Sequence, residues 1–290
     1  MDTVKCEALV CSVERGSFSA AAEFLGYTPS GITRMIDALE AEIGFALVAR
    51  QRNGVSLTKE GKVMLPMIRA FVASGERIRE QAAQINGVIE GSVVVGTYYS
   101  IAAHWLPTII REFQEDHPAV TVTLCEGGNS DLARMMAESR IDCCFTSRRL
   151  AKGDWIRLAD DALVAWVPSN WPEAQLRTLP LSSLEGKPFI MPLPGNKNDV
   201  ESLLCDLGIQ PQVKFAANDG YTAWCMVEQG LGISMNNLLM SAGWSGNVRV
   251  MRFNPEQRIE LGIAVPSMNT ASPATRAFVE YAQRIVPTLA

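Results

Sequence analysis

Apolar positions in the first ninety residues recur with helical spacing, interrupted by glycines at short intervals. Cys6, Leu9, Val10 and Val13 fall at i, i+3, i+4 and i+7, one face of a short amphipathic helix that Gly16 stops. Ser19 is placed to cap a second helix over 20–25, with Phe18 as its staple and Gly26 at its end. Thr28 then caps a third, with Pro29 at the first helical position, where a missing N–H costs nothing. Ile32, Ile36, Leu39 and Ile43 line one side of that helix; Ser30, Thr33, Arg34 and Asp37 project from the other, and Gly44 closes it. The pattern alone fits either a helix-turn-helix or a generic three-helix packing unit. A recognition helix in a major groove roughly 12 Å wide needs short donors and acceptors at its leading outer positions, and Thr28, Ser30, Thr33 and Arg34 supply them.

Segments 47–52 and 55–57 read as short strands around Asn53-Gly54, a hairpin or wing that carries Arg50 and Arg52. Residues 1–90 hold 10 basic against 11 acidic side chains, so this is not a basic domain overall. Within 28–36 and 50–62, however, Arg34, Arg50, Arg52, Lys59 and Lys62 face only Glu60, which concentrates positive charge where a winged helix meets phosphates. From Thr58 on, Met64, Ile68, Phe71, Gly75, Ile78, Ala82, Ile85 and Ile89 alternate spacings of four and three, a heptad repeat. A helix of that length cannot bury its stripe within a small domain and is expected to pair with a copy of itself. Pro66 is expected to kink or break it locally.

This order of elements resembles the LysR-type transcriptional regulators. The resemblance rests on Phe18-Ser19-Ala20-Ala21-Ala22, Leu25-Gly26-Tyr27-Thr28-Pro29-Ser30-Gly31-Ile32-Thr33-Arg34-Met35-Ile36, Leu39-Glu40, Ile43-Gly44, Leu47-Val48-Ala49-Arg50 and Leu57-Thr58-Lys59-Glu60-Gly61. Each motif is weak alone; in this order and at this spacing they are specific. The chain departs from the family pattern at Gly31 (usually alanine), Thr33 (usually serine), Val48 (usually phenylalanine) and Pro66, which is uncommon in the linker.

Beyond residue 90, strands and helices alternate. Strand-like runs occupy 92–96, 120–124, 141–145, 163–167, 189–191, 213–217 and 259–265, with another starting at 230–234. Helical patterns lie around Leu106 to Phe113, over 131–139, from Asp199, over 221–229 and over 273–285. The strand–helix–strand units predict a parallel sheet. The resemblance implies an α/β protein overall: an N-terminal winged helix-turn-helix (1–60), a linker and dimerisation helix (61–90), and a C-terminal, periplasmic-binding-protein-like effector domain (91–290). That last domain is expected as two subdomains, 91–160 with 266–290 and 161–265, with crossovers near 148–162 and 263–267.

Ligands of such sheets sit at the carboxyl ends of strands, beside free helix N-termini. Those loops place Tyr99, Ser100, Ile101, Asn129, Thr146 and Ser147 in one half of a cleft and Met191, Pro192, Asn218 and Asp219 in the other. The resemblance implies effector contact at Ser100, Asn129 and Ser147; helix capping is the competing role. It further implies double-stranded DNA with a near-palindromic operator as partner, self-association through the linker with tetramers usual, and RNA polymerase as a further partner. DNA contact is expected from Thr28, Pro29, Ser30, Thr33, Arg34, Arg50 and Arg52.

Composition narrows the rest. Apolar residues make up 48% of the chain and charged ones 20%, which excludes a disordered chain, and the net charge of −5 confines any nucleic-acid contact to a local surface. With two histidines, His104 and His117, and no G-x-S-x-G, neither a metal site nor a hydrolase triad is expected, and no cofactor. The seven cysteines (Cys6, Cys11, Cys125, Cys143, Cys144, Cys205 and Cys225) form no CxxC. Their spacing is unlike a zinc site or a secreted disulfide framework. Thiol sensing by Cys205 with Cys225, or by Cys143 with Cys144, is disfavoured because free cysteine usually packs. The N-terminal residues lack the apolar run of a signal peptide and no membrane span appears, so a cytoplasmic protein is expected. A solute-binding or catalytic α/β protein whose N-terminal helices only dimerise remains the alternative; it predicts no concentration of charge on the third helix and wing.

Overall fold

The computed structural model describes residues 1–51, 54–192 and 198–289, with the side chains of Arg50, Gln51 and Leu150 outside the description. Two compact units emerge, 1–91 with 134–140, and 92–133 with 141–290.

The first unit contains α1 (Thr3–Glu14), α2 (Phe18–Leu25), α3 (Pro29–Ile43), β1 (Val48–Gln51), β2 (Gly54–Leu57) and α4 (Lys59–Ile85). Its caps follow local chemistry. Thr28 Oγ1 accepts from Gly31 N at 3.1 Å, and Gly26 and Gly44 close α2 and α3 at φ +72° and +94°. The cap of α2 is Ser17, not the expected Ser19. Ser17 has the extended backbone an N-cap needs and accepts from Ala20 N at 3.0 Å, so the helix begins at Phe18. Cys6, Leu9, Ala22, Ile32, Ile36, Leu39, Leu47 and Ile68 form one core. β1 and β2 pair antiparallel as the wing, with Val48 opposite Leu57. Glu40 anchors the wing to α3: its Oε1 accepts from the amides of Leu47 and Val48 at 2.6 and 3.0 Å.

Helix α4 runs through Pro66 without a break and ends at Ile85, leaving Ile89 beyond it. Its 27 residues span about 40 Å. The heptad stripe divides. Ile68 is buried in the core of its own unit and Met64 packs against it, while Phe71, Ile78 and Ile85 are exposed. A helix packed on its own domain therefore describes the first turns, and the uncovered stripe starts later than its periodicity suggests.

Beyond α4 the chain forms β3 (Gly91–Thr97), α5 (Tyr99–His104), α6 (Leu106–Asp116), β4 (Val120–Glu126), α7 (Asn129–Ala137), β5 (Cys143–Ser147), β6 (Asp154–Pro168), β7 (Leu179–Pro180), β8 (Pro188–Pro192), α8 (Asp199–Leu207), β9 (Gln212–Ala217), α9 (Gly220–Glu228), β10 (Ser234–Asn237), β11 (Val248–Val265) and α10 (Pro273–Leu289). The single helix expected after Ser100 is thus two, meeting at Trp105.

The main sheet has the order β10-β6-β11-β5-β3-β4, with β7 beside β11. It is mixed rather than parallel. β3 and β5 run parallel, as do β8 and β9 in a second small sheet, but β6 and β11 are long antiparallel ribbons, registered from Val248 opposite Pro168 to Val265 opposite Asp154. From Leu261 to Ala264 β11 already pairs with β5, so the return crosses before the expected 263–267. Two apolar clusters lie on opposite faces of β6. Leu163, Ala165 and Val167 join Phe189 and Ile233, whereas Ala162, Val164 and Trp166 join Ala223, Trp224 and Val227.

Candidate DNA-contacting face and ligand cleft

On α3 the expected contact residues differ in how free they are. Ser30 and Arg34 are exposed, and among the described residues Arg34 makes no ion pair. Thr28 is engaged as the cap, and its hydroxyl lies 3.2 Å from Ser30 Oγ. Thr33 Oγ1 donates to Pro29 O at 3.0 Å, so its hydrogen serves the helix. Pro29 sits exposed at the first helical position. A Cβ at Gly31 would come within 3.1 Å of Thr28 Oγ1, a close contact that a small shift of the Thr28 side chain relieves. Lys59 and Lys62 are exposed on the first turns of α4. Arg50 belongs to β1 but its side chain is outside the described residues, as is Arg52 entirely. Exposed Tyr27, next to the cap of α3, is a further candidate that polarity patterning overlooks.

In the second unit the carboxyl ends of β3, β5, β8 and β10 and the N-termini of α5, α8 and α9 converge on a cleft. Its inner part is a cavity of about 90 Å³ lined by Tyr98, Ser100, Asn129, Pro192, Asn198, Asp199, Asn236, Asn237, Met240 and apolar groups of β6 and β11. It adjoins a cavity of about 540 Å³ bounded by Tyr98, Tyr99, Glu126, Gly127, Gly128, Asn218, Asp219, Tyr221 and Met240. That volume lies in the range of small-molecule sites. A third opening of about 380 Å³, sharing Asp199 and Leu163 with the inner cavity, carries Ser147, Arg148, Arg149, Arg258 and Glu260.

The polar lining is preorganised. The Tyr98 hydroxyl donates to Asn129 Oδ1 and lies 2.9 Å from Thr146 Oγ1. Burial pushes the Tyr98 phenol up, so it stays protonated. Ser147 Oγ donates to Asp199 Oδ1 at 3.0 Å, and Asn198 caps α8 while its Nδ2 donates to Pro192 O at 2.7 Å. Asn237 Nδ2 donates to Asp161 Oδ2 at 2.7 Å, and Leu239 N donates to the same oxygen at 3.2 Å. Burial raises the carboxyls of Asp161 and Asp199 above their ordinary value; the Asn237 amide and the Ser147 hydroxyl respectively oppose the rise.

The raised Asp161 carboxyl holds its proton more readily in the native state than in the unfolded chain. Its contribution to stability is therefore present at low pH and lost as pH rises through the folded pKa. Asp161→Asn keeps an acceptor for both donors and should flatten that slope in thermal melts taken across pH. Asp161→Ala removes the acceptor from two half-buried donors, of which Asn237 Nδ2 keeps Ser100 Oγ at 3.4 Å, and should cost on the order of 1 kcal/mol in all.

Of the expected cleft residues, Ser100, Asn129 and Pro192 line the inner cavity, Tyr99, Asn218 and Asp219 the larger one, and Ser147 the third. Thr146 stands behind Tyr98. Two expectations fail. Ile101 is fully buried because α5 turns that face into the core, and Met191 packs against the cluster around Phe189 rather than lining the cleft. Tyr98, Asp199, Asn236, Asn237 and Tyr221 went unrecognised. Tyr98 directly precedes Tyr99 and was within reach of the loop argument; Asn236 and Asn237 arrive only through the pairing of β10 with β6.

Among the described residues no three histidine, cysteine or acidic side chains gather to hold a metal, and no helix is long and apolar enough to cross a membrane. Burial drives the Cys143 thiol well above its ordinary value and the Cys144 thiol up to about 12, which opposes thiolate chemistry at either. His117 packs against Phe113 and Tyr281 as a structural ring.

Two family models match the chain: a bacterial regulatory helix-turn-helix protein of the lysR family over residues 5–62, and a LysR substrate binding domain over 86–286. The uncharacterised HTH-type transcriptional regulator YvbU of Bacillus subtilis (strain 168) is 26% identical over 288 residues, covering 98% of this chain and 99% of its own. Full-length CbnR in complex with its target DNA has the same fold, with a TM-score of 0.68, 21% identity, and coverage of 98% of this chain and 99% of that one. A full-length OxyR variant from Pseudomonas aeruginosa superposes with a TM-score of 0.76 at 18% identity, covering 100% and 99%.

Proposed function

The chain belongs to the LysR family of bacterial helix-turn-helix regulators, and from that premise we propose which of its residues read DNA and which sense the effector. It is a DNA-binding transcriptional regulator with a C-terminal effector-binding domain. Helix α3 enters the major groove, with Ser30 and Arg34 at base edges and Thr28, Pro29 and Thr33 holding the helix start against nearby backbone. Arg50 and Arg52 of the wing engage phosphates or the adjacent minor groove. Residues 1–60 act as the DNA-binding domain, 61–90 as the linker and 91–290 as the effector domain, its halves joined by the β6 and β11 ribbons.

The exposed stripe of α4 (Phe71, Ile78 and Ile85) supports pairing of two chains, and a two-fold dimer calls for a near-palindromic operator. Tetramers form on the same plan, and effector bound in the cleft shifts the balance of their conformations, altering DNA bending or contact with RNA polymerase.

The observation that carries this reading is the exposed guanidinium of Arg34, without an ion pair among the described residues, on a helix whose opposite side is the core of its domain. Selecting genomic fragments on the purified protein at moderate salt should enrich one near-palindromic sequence. Arg34→Ala should weaken binding to it by about 1–3 kcal/mol and relax preference at one base pair. Wild-type affinity and preference in that variant, read by titration against matched and mismatched duplexes, would remove α3 from the groove.

A further inference from the structure

The larger cavity has a composition that selects one class of ligand, an inference that rests on the cleft being the effector site. Tyr99 and Tyr221, 46% and 60% exposed, both stand on Trp244, with ring centroids 6.0 and 5.4 Å from it. Trp244 is itself braced by Trp166 and Trp224 at 5.7 and 5.6 Å. Two exposed tyrosine rings, packed on a base of tryptophans, thus border a space of about 540 Å³. Two carboxylates, Glu126 and Asp219, border the same space, and neither is ion-paired among the described residues. Asp219 is held below the usual carboxylate range by hydrogen bonds from the Thr222 hydroxyl and amide, so it stays charged while capping α9. No lysine, arginine or histidine among the described residues lines this cavity.

Aromatic faces and unpaired carboxylates around one space attract a cation, through the negative faces of the rings and the direct charge interaction. An organic anion in the larger cavity would meet repulsion from both acids, with no cationic side chain among the described lining residues to offset it. The arginines nearby line the third opening instead: Arg149 pairs with Asp206 at 2.8 Å, Arg258 shares Glu256 with Arg252, and Arg148 lies over the Trp155 ring at 5.1 Å.

We propose that the effector is an organic ammonium ion, its charged group seated against Tyr99 and Tyr221 beside Glu126 and Asp219. Its apolar part lies toward Met240, and its remaining polar groups reach the amides of Asn129, Asn236 and Asn237 in the adjoining inner cavity.

The test uses the full-length protein with tetramethylammonium, butylammonium and phenethylammonium chlorides. The neutral isostere 3,3-dimethylbutan-1-ol and the carboxylate 3-phenylpropionate serve as controls. Binding is read by tryptophan fluorescence, with Trp244 under the site, and by calorimetry. At least one ammonium ion should bind saturably at millimolar concentration or below, with the neutral and anionic probes at least tenfold weaker. Tyr221→Ala and Asp219→Asn (the asparagine retaining the cap of α9) should each weaken it by about tenfold. Failure of all three ammonium ions to saturate, equal binding of the carboxylate, or indifference to both substitutions overturns the proposal.

Titration of the selected operator DNA in the presence of each probe separates the two readings. An ammonium ion that binds but leaves DNA affinity and footprint unchanged upholds this site and defeats its role as effector site. Binding of 3-phenylpropionate that shifts the footprint does the reverse.

Discussion

Gly61→Ala is expected to abolish specific DNA binding and to lower the stability of the N-terminal unit, while leaving the melting of the effector domain unchanged. Gly61 lies in the first turn of α4, where Thr58 accepts from its amide at 2.8 Å and donates to Ala46 O at 2.8 Å. A Cβ there would overlap the carbonyl oxygen of Leu47, with the carbonyl carbon at 2.9 Å and Leu57 Cδ2 at 3.1 Å. The obstructing atoms are mainly backbone, and that backbone is not free to move. The Leu47 amide is held by Glu40 of α3, and the Leu47 side chain is fully buried in the core shared with Ile36 and Leu39. Relief therefore comes from displacing the wing or unwinding the start of α4. Overpacking of this kind costs about 1–3 kcal/mol and sometimes more. It also shifts the wing relative to α3, so DNA affinity should fall by more than the loss of stability alone. Calorimetry resolving two transitions, with binding titrations on the selected operator, checks both parts; an unchanged first transition with unchanged affinity refutes this account of Gly61.

Trp166→Ala is expected to do the converse. Trp166 is fully buried near the carboxyl end of β6, edge-on to Trp224 at 5.3 Å, and its indole N–H donates to Ser241 Oγ at 3.3 Å. Truncation leaves a cavity and should cost about 3–5 kcal/mol in the effector domain. It also removes the brace under Trp244, so the wall formed by Tyr99 and Tyr221 loses its base. The first melting transition and salt-dependent binding to DNA should survive, and any response to ligand should vanish. A variant that melts like the parent and still responds would show that the tryptophan stack does not shape the cleft.

The N-terminal unit was legible to the residue in several places. Thr28, Pro29, Gly26 and Gly44 act through the backbone of their own turn, and such local chemistry is written within four or five residues. Where local signals compete, sequence could not choose: Ser17 and Ser19 flank Phe18 equally, and only the chain direction leaving Gly16 puts Ser17 in extended backbone at the cap. The heptad stripe was visible as periodicity. That Ile68 faces its own core and Phe71 does not depends on where α1 and α3 end, which periodicity does not carry.

The effector domain divides the same way. Hydrophobic runs located most strands but not their lengths or directions. β6 and β11 extend to 15 and 18 residues because each hydrogen-bonds the other on both sides of an irregularity between Arg252 and Gln257, and a strand sustained by its partner can carry polar residues within its span. Several of the loops at strand ends line cavities, yet Ile101 and Met191 turn inward while Asp161, Asn237 and Tyr221 come to the cleft and its framework from distant segments. The sequence by itself determined the family, the order of elements and the chemistry available at each loop, since motifs, caps and periodicities are short-range. Only the tertiary structure decided which loops meet, and hence that tyrosines and unpaired acids share one cavity while the arginines border another. That pairing depends on strand register and helix docking across more than a hundred residues, and no local pattern encodes it.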